Sequence, residues 1–366
     1  MLLTISVHAG AYDITDAFDD FDIDARAADS ALYDVRADLL PDYTLNNVTD
    51  AMINGREIDV IKGMPEKISS LLLSEFKASL KDAVFILAVI IVCSVVTAVK
   101  GSFAENEISK TADAVCVVSA ALTLVLILKE LIGICIKTVA NGVLFIKALT
   151  PAIVILMFSS GDHVSAGSLE FWLFFLLEVM SHVIEYIFIP LVCARLSLSA
   201  ADSIFDGIRL KGLSELIGSV LNFSLGLMLT VFTGFITINR VAASVGDAAA
   251  GKTVKFTVSN AVPIVGKIIS DSADLVISFS HVIKTAFGVF GIIGVVLIFL
   301  APVVRIGARL LVLKLTAALS ETLGNTRLTG LLSSFASAAT YIFSINICVC
   351  VFMVVSLGLT VVMGAK

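Results

Sequence analysis

Glu178, His182 and Glu185 stand four and then three positions apart inside an otherwise apolar run. On a helix that spacing stacks all three along one face. A carboxylate–imidazole–carboxylate row can relay protons, hold a cation or pair with charges on a neighbouring helix. It lacks the H-E-x-x-H order that sets two imidazoles one turn apart for zinc. An interhelical polar contact or pore lining is the reading favoured, ahead of an ion path or a metal.

Two further segments invite chemistry. Gly246-Asp-Ala-Ala-Ala-Gly-Lys252-Thr253 fits the phosphate-loop pattern G-x-x-x-x-G-K-[ST]. That loop works only where it leaves a buried strand and opens a helix in an α/β domain. No such pattern surrounds it, so a small-residue linker is expected and nucleotide is not. In Val258–Ser280, Pro263 and Gly266 interrupt an apolar stretch that continues into Asp271 and Asp274. Interrupted apolar segments with acids can mark a discontinuous helix at a transport site; an amphipathic interfacial helix is the plainer reading. Asp20-x-Asp22-x-Asp24 begins like a calcium loop, but Ala25 and Ala31 occupy the positions that need glycine and glutamate.

No catalytic set can be assembled. There is no Gly-x-Ser-x-Gly elbow, and the other histidines are only His8, His163 and His281. The six cysteines lie in or beside apolar segments without a Cys-x-x-Cys pair, which suits core packing. The chain is therefore expected not to be an enzyme, and to need no cofactor and no metal.

The elements that must carry these residues are set by hydropathy. Hydrophobic residues make up 58% and charged residues 15% of the chain, against about a quarter charged in soluble domains. Ala83–Val99 has no charge and is bracketed by Asp82 and Lys100. A helix of about 17–25 apolar residues matches the hydrocarbon thickness of a bilayer. Further spans are predicted at Ala112–Leu128, Glu170–Leu191, Ile217–Ile238, Ala286–Val304 and Thr340–Val362. Residues 131–160 are ambiguous, because Lys137 and Lys147 interrupt them and Pro151 falls in the middle. Ile306–Ser320 reads as a helix buried in protein or lying in the interface. The fold class is all-α, a polytopic transmembrane helix bundle of about six to eight spans.

The divisions follow. Residues 1–11 look like the tail of a signal peptide ending in Ala9-Gly10-Ala11. Residues 12–62 form an acidic, poorly ordered segment, with thirteen acids and three bases between Tyr12 and Val60. Residues 63–82 form an amphipathic interfacial helix with Ile68, Leu71, Leu72, Phe76 and Leu80 on one face. Residues 83–366 are the membrane domain. Arginine-bearing loops after Leu191 and Val304 predict cytoplasmic sides there, with the acidic segment extracytoplasmic. The lipid bilayer is the expected surrounding, and no basic patch with interleaved aromatics argues for nucleic acid.

Small-residue and polar stripes predict close packing. Gly288, Gly291 and Gly294 let another helix approach, and Ser337, Tyr341 and Ser344 line the entry of the last span.

Ser259-Asn-Ala-Val-Pro-Ile-Val-Gly-Lys-Ile-Ile-Ser-Asp-Ser-Ala-Asp-Leu-Val276 precedes a Gly-rich span ending Ala301-Pro-Val-Val-Arg-Ile306. With the acidic leader and amphipathic helix ahead of them, these segments resemble the stage III sporulation protein AE family of endospore-forming bacteria, over roughly residues 60–366. The resemblance implies an integral component of the mother-cell membrane. It implies as partners the other proteins of one sporulation assembly and a forespore-side protein, together forming a channel or secretion-like conduit that sustains the forespore. It carries no catalytic residues. The alternative from the residues themselves is a secondary transporter of a small solute or ion, using discontinuous helices and the Glu178/His182/Glu185 face.

Overall fold

The computed structural model describes residues 64–100, 107–159, 162–204, 210–261, 266–322 and 326–362. Segments 1–11 and 12–62 lie outside them, as does Pro263. The described residues are helical almost throughout and contain no strand: α1 Met64–Lys100, α2 Glu107–Ser159, α3 His163–Val183, a π-helical turn Ile184–Phe188, α4 Ile189–Ile204, α5 Lys211–Ala261, α6 Gly266–Thr322 and α7 Thr326–Val362.

Five of the described helical stretches are long and apolar enough to cross a membrane: Val117–Ser159, His163–Ser203, Lys211–Asp247, Ile283–Thr322 and Thr326–Leu359. The all-α bundle is as expected, but its helices are fewer and longer. The segment Ala112–Leu128 and residues 131–159 of the ambiguous stretch are one helix of 53 residues, and Ala286–Val304 and Ile306–Ser320 belong to one of 57. Residues 64–82 of the amphipathic stretch and the run Ala83–Val99 likewise share α1. At ~1.5 Å per residue, α2 is about 80 Å long and α6 about 85 Å.

Prolines do not stop these helices. Pro151 lies inside α2, and just before it the Thr150 hydroxyl donates to the Ile146 carbonyl at 2.6 Å. Ahead of Pro190 the ladder widens to the π turn, where the Ile189 N–H reaches the Ile184 carbonyl five residues back. A widened turn of this kind is one of the local adjustments by which a helix in a membrane tolerates proline.

Close contacts fix the register. A Cβ on Gly142 would lie 2.8 Å from Met353 Sδ and 2.9 Å from Phe299, and one on Gly291 would lie 2.5 Å from Leu149 and 3.2 Å from Leu357. Thus α6 runs antiparallel to α2 and α7 parallel to it. Gly291 is one of the three stripe glycines, and it lies where α2, α6 and α7 meet. Contacts Trp172–Phe235 at 4.7 Å and Gly246–Val164 make α3 and α5 antiparallel.

Two ionic levels cross this bundle. At the first, Arg305 donates to Glu75 at 2.7 and 2.9 Å and Arg309 to Glu130 at 2.7 Å. The α7 register brings Tyr341 to the same height, where Arg195 lies over its ring at 4.9 Å and its hydroxyl donates to the Gly218 carbonyl. At the second level Lys284 pairs with Asp162 at 2.7 Å, its side chain only 3% exposed. Lys284 and Arg305 are separated by about 32 Å of helix.

Candidate functional site

Glu178, His182 and Glu185 do share one face, and that face points away from the core. The carboxylate of Glu178 accepts from Lys147 Nζ at 2.6 Å, an α2–α3 pair. His182 Nδ1 lies 2.9 Å from the Glu178 carbonyl, so the nitrogen there is the protonated one. Its ring sits 5.7 Å from that of Tyr186. Glu185 is exposed on the π turn, the one place where the α3–α4 helix changes its pitch. Phe171, Phe175, Tyr186 and Ile187, all exposed, surround the row.

The Lys147–Glu178 contact sets the register of α2 against α3. It brings Asn141 level with Glu185, and Lys137 a turn higher; both are exposed. A polar stripe of two helices results: Lys137, Asn141 and Lys147 on α2, and Glu178, His182 and Glu185 on α3 and the π turn. Lys137 and Glu185 have no ion-pair partner among the described residues. Among the described residues, no three of His, Cys, Asp and Glu converge to hold a metal ion.

The phosphate-loop match is not a loop. Gly246–Thr253 is helical backbone within α5, whose N–H groups bond carbonyls four residues back and cannot cradle a phosphate. Asp247 has another task, which the pattern of the sequence hid. Its carboxylate, in a residue 8% exposed, accepts the N–H groups of Val164 at 2.7 Å and Ser165 at 3.1 Å. It caps α3 from a different helix. Asp162, at the N-cap position, makes no side-chain cap bond, because its carboxylate is turned to Lys284. Asp202 does the same for α5, accepting from Leu210 and Lys211. The acids Glu75 and Glu130 and the base Lys284 were equally invisible as pair members, since each partner comes from a distant helix.

Of the interrupted segment, α5 ends at Ala261 and α6 begins at Gly266. Asp271 and Asp274 are on α6, their side chains outside the described residues. Tyr341 holds α4 and α5 together as described above, and Ser344 turns back to the Thr340 carbonyl.

Comparison with known proteins adds what geometry alone does not. The sequence profile of the family described as "Stage III sporulation protein AE" matches residues 43–364. The protein named "Stage III sporulation protein AE" from Bacillus subtilis (strain 168) is 24% identical over 326 residues, covering 89% of this chain and 82% of the relative. No solved structure matches the chain.

Proposed function

Because this chain belongs to the stage III sporulation protein AE family, we propose that it serves sporulation as a non-enzymatic, multi-pass component of a multi-protein channel or secretion-like complex. In this reading the complex sits in the mother-cell membrane and links it to the forespore, with the chain as scaffold or pore wall. We set the hydrocarbon between the two ionic levels. Their ~32 Å separation along α6 matches the ~30 Å apolar thickness of a bilayer. The level holding Arg195, Arg305 and Arg309 then faces the cytoplasm.

The observation that carries the assembly reading is an outer surface unsuited to a lone molecule. Past the arginine level, α1 and α2 continue for about 35 Å as a helical pair. Ala83–Val99 and Ala114–Leu128 carry no charge, and Val84, Phe85, Val92, Val118, Leu122 and Leu126 are more than half exposed. Exposed apolar patches of this kind mark sites that another protein or a membrane covers. Within the slab the reverse mismatch occurs: the polar stripe points outward, although each ionisable group at the centre of a lipid-facing helix costs about 2.5–3.5 kcal/mol or more. Neighbouring subunits cover both. The transporter reading draws on the π turn at Glu185, but Glu178 is already paired and, among the described residues, the row is exposed on the outer face rather than turned between helices.

Deletion from an endospore-forming host, complemented by a tagged copy, tests the proposal. Complemented cells at engulfment should yield the chain together with a constant set of other membrane proteins. Leu122→Asp with Leu126→Asp should lose both that set and heat-resistant spores. Normal spore counts in the deletion strain would end the reading. Full complementation by a chain that purifies without companions would favour the transporter.

A further inference from the structure

We propose that the stripe Lys137, Asn141, Lys147, Glu178, His182 and Glu185 is a self-association surface, through which two copies of this chain meet about a two-fold axis along the membrane normal. The inference rests on the bilayer placement above and deepens it by naming what covers the stripe.

The argument begins with depth. Measured from Arg305, the boundary used above, Lys137 lies about 3 Å inside the slab along α2 and Glu185 about 8 Å inside it along the α3–α4 stretch. Both are inside the slab, exposed, and without an ion-pair partner among the described residues. Lipid cannot satisfy Glu185, and Lys137 stands at the rim about 5 Å above it. They also do not satisfy each other within one chain, although their heights differ by only about 5 Å.

A rotation about the membrane normal leaves depth unchanged. It therefore sets Lys137 against the partner subunit's Glu185 at nearly its own height, within the reach of a lysine side chain. The same operation makes the reciprocal pair, as an isologous interface requires. The stripe is balanced, with two lysines against two glutamates, so that a second copy meets opposite charge rather than like charge. Lys147 and Glu178, already paired at 2.6 Å, lie deeper and close the same surface. Asn141, between the two pairs, supplies an amide that can hydrogen-bond across a two-fold contact. Exposed Phe171, Phe175 and Tyr186 provide the flat aromatic border around this polar centre.

The test uses the full-length chain in lipid nanodiscs and in liposomes of decreasing protein density, with subunits counted by single-molecule photobleaching. Wild type should photobleach in two steps. Lys137→Glu and Glu185→Lys should each weaken association by about tenfold or more. The double exchange Lys137→Glu with Glu185→Lys should return it to near the wild-type value. In cell membranes, Asn141→Cys should give a homodimer band with a short bismaleimide that the unsubstituted chain does not. Membrane insertion and unfolding temperature of each variant are measured alongside, so that a misfolded chain is recognised. A wild-type chain that is single at every density overturns the proposal. So does a well-folded double exchange that stays dissociated, or an Asn141→Cys adduct whose mass belongs to a different protein. None of these results touches the sporulation phenotype of the deletion, which tests the broader reading by itself.

Discussion

Replacing Asp247 should loosen the start of α3, although the residue lies 83 positions away from it on another helix. The carboxylate receives two backbone N–H groups at 2.7 and 3.1 Å and is nearly buried. An N-cap residue contributes about 0.5–2 kcal/mol. A buried donor left without a partner costs about 1–3 kcal/mol, and the lost negative charge at the helix N-terminus adds up to about 1 kcal/mol. These terms overlap, so Asp247→Ala is expected to cost about 2–3 kcal/mol. Asp247→Asn keeps one oxygen acceptor and loses only the charge and one bond, which puts it nearer 1 kcal/mol. The chain carries its own reporter: its single tryptophan, Trp172, sits edge-on to Phe235 at 4.7 Å in the same α3–α5 seam. Unfolding of the detergent-solubilised chain, followed by tryptophan fluorescence, should place Ala well below Asn and Asn below wild type. An Asp247→Ala chain within 0.5 kcal/mol of wild type, the size of an ordinary surface change, would refute the capping account.

Two other substitutions probe different parts of the argument. Gly291→Leu should be far worse than Gly291→Ala: the added atoms run into Leu149 and Leu357 where three helices meet. We expect about 1–3 kcal/mol for Ala, where the Leu149 tip must turn aside, and failure to accumulate in the membrane for Leu, both read by yield and unfolding. Lys252→Ala removes the side chain that a phosphate loop could not do without, yet spore counts and unfolding should match wild type within about 0.5 kcal/mol, because the backbone there is helix.

What the sequence made legible was the solvent. Uninterrupted runs such as Ala83–Val99 announce helices that cannot face water, and the all-α architecture follows from that alone. The face shared by Glu178, His182 and Glu185 was also legible, since three residues on one helix need only its period. Which way the face points was not. Orientation about the helix axis depends on which neighbour pairs with Lys147, and that contact spans 31 positions. The caps were hidden for a similar reason. Asp162 stands where a local N-cap belongs, but its carboxylate serves Lys284. The cap is instead supplied from inside a segment whose glycine-lysine-threonine ending suggested nucleotide.

Helix ends misled most, and the reason is general to bundles of this kind. A charge closing an apolar run is ordinarily read as the point where a helix meets water, and Arg305 follows Ala286–Val304 as Glu130 follows Ala112–Leu128. Here the charges are met sideways. Arg305 finds Glu75, 230 positions earlier, and Arg309 finds Glu130, 179 positions earlier. Once an acid from another helix stands at the same height, the guanidinium has its charged partner beside the helix rather than beyond its end, and the ladder of backbone bonds has no cause to stop. Whether a charge ends a helix or rivets it to its neighbour is thus a property of the pair, not of the residue. That is why α2 and α6 run unbroken through a level at which their sequences, read singly, predict an exit from the membrane.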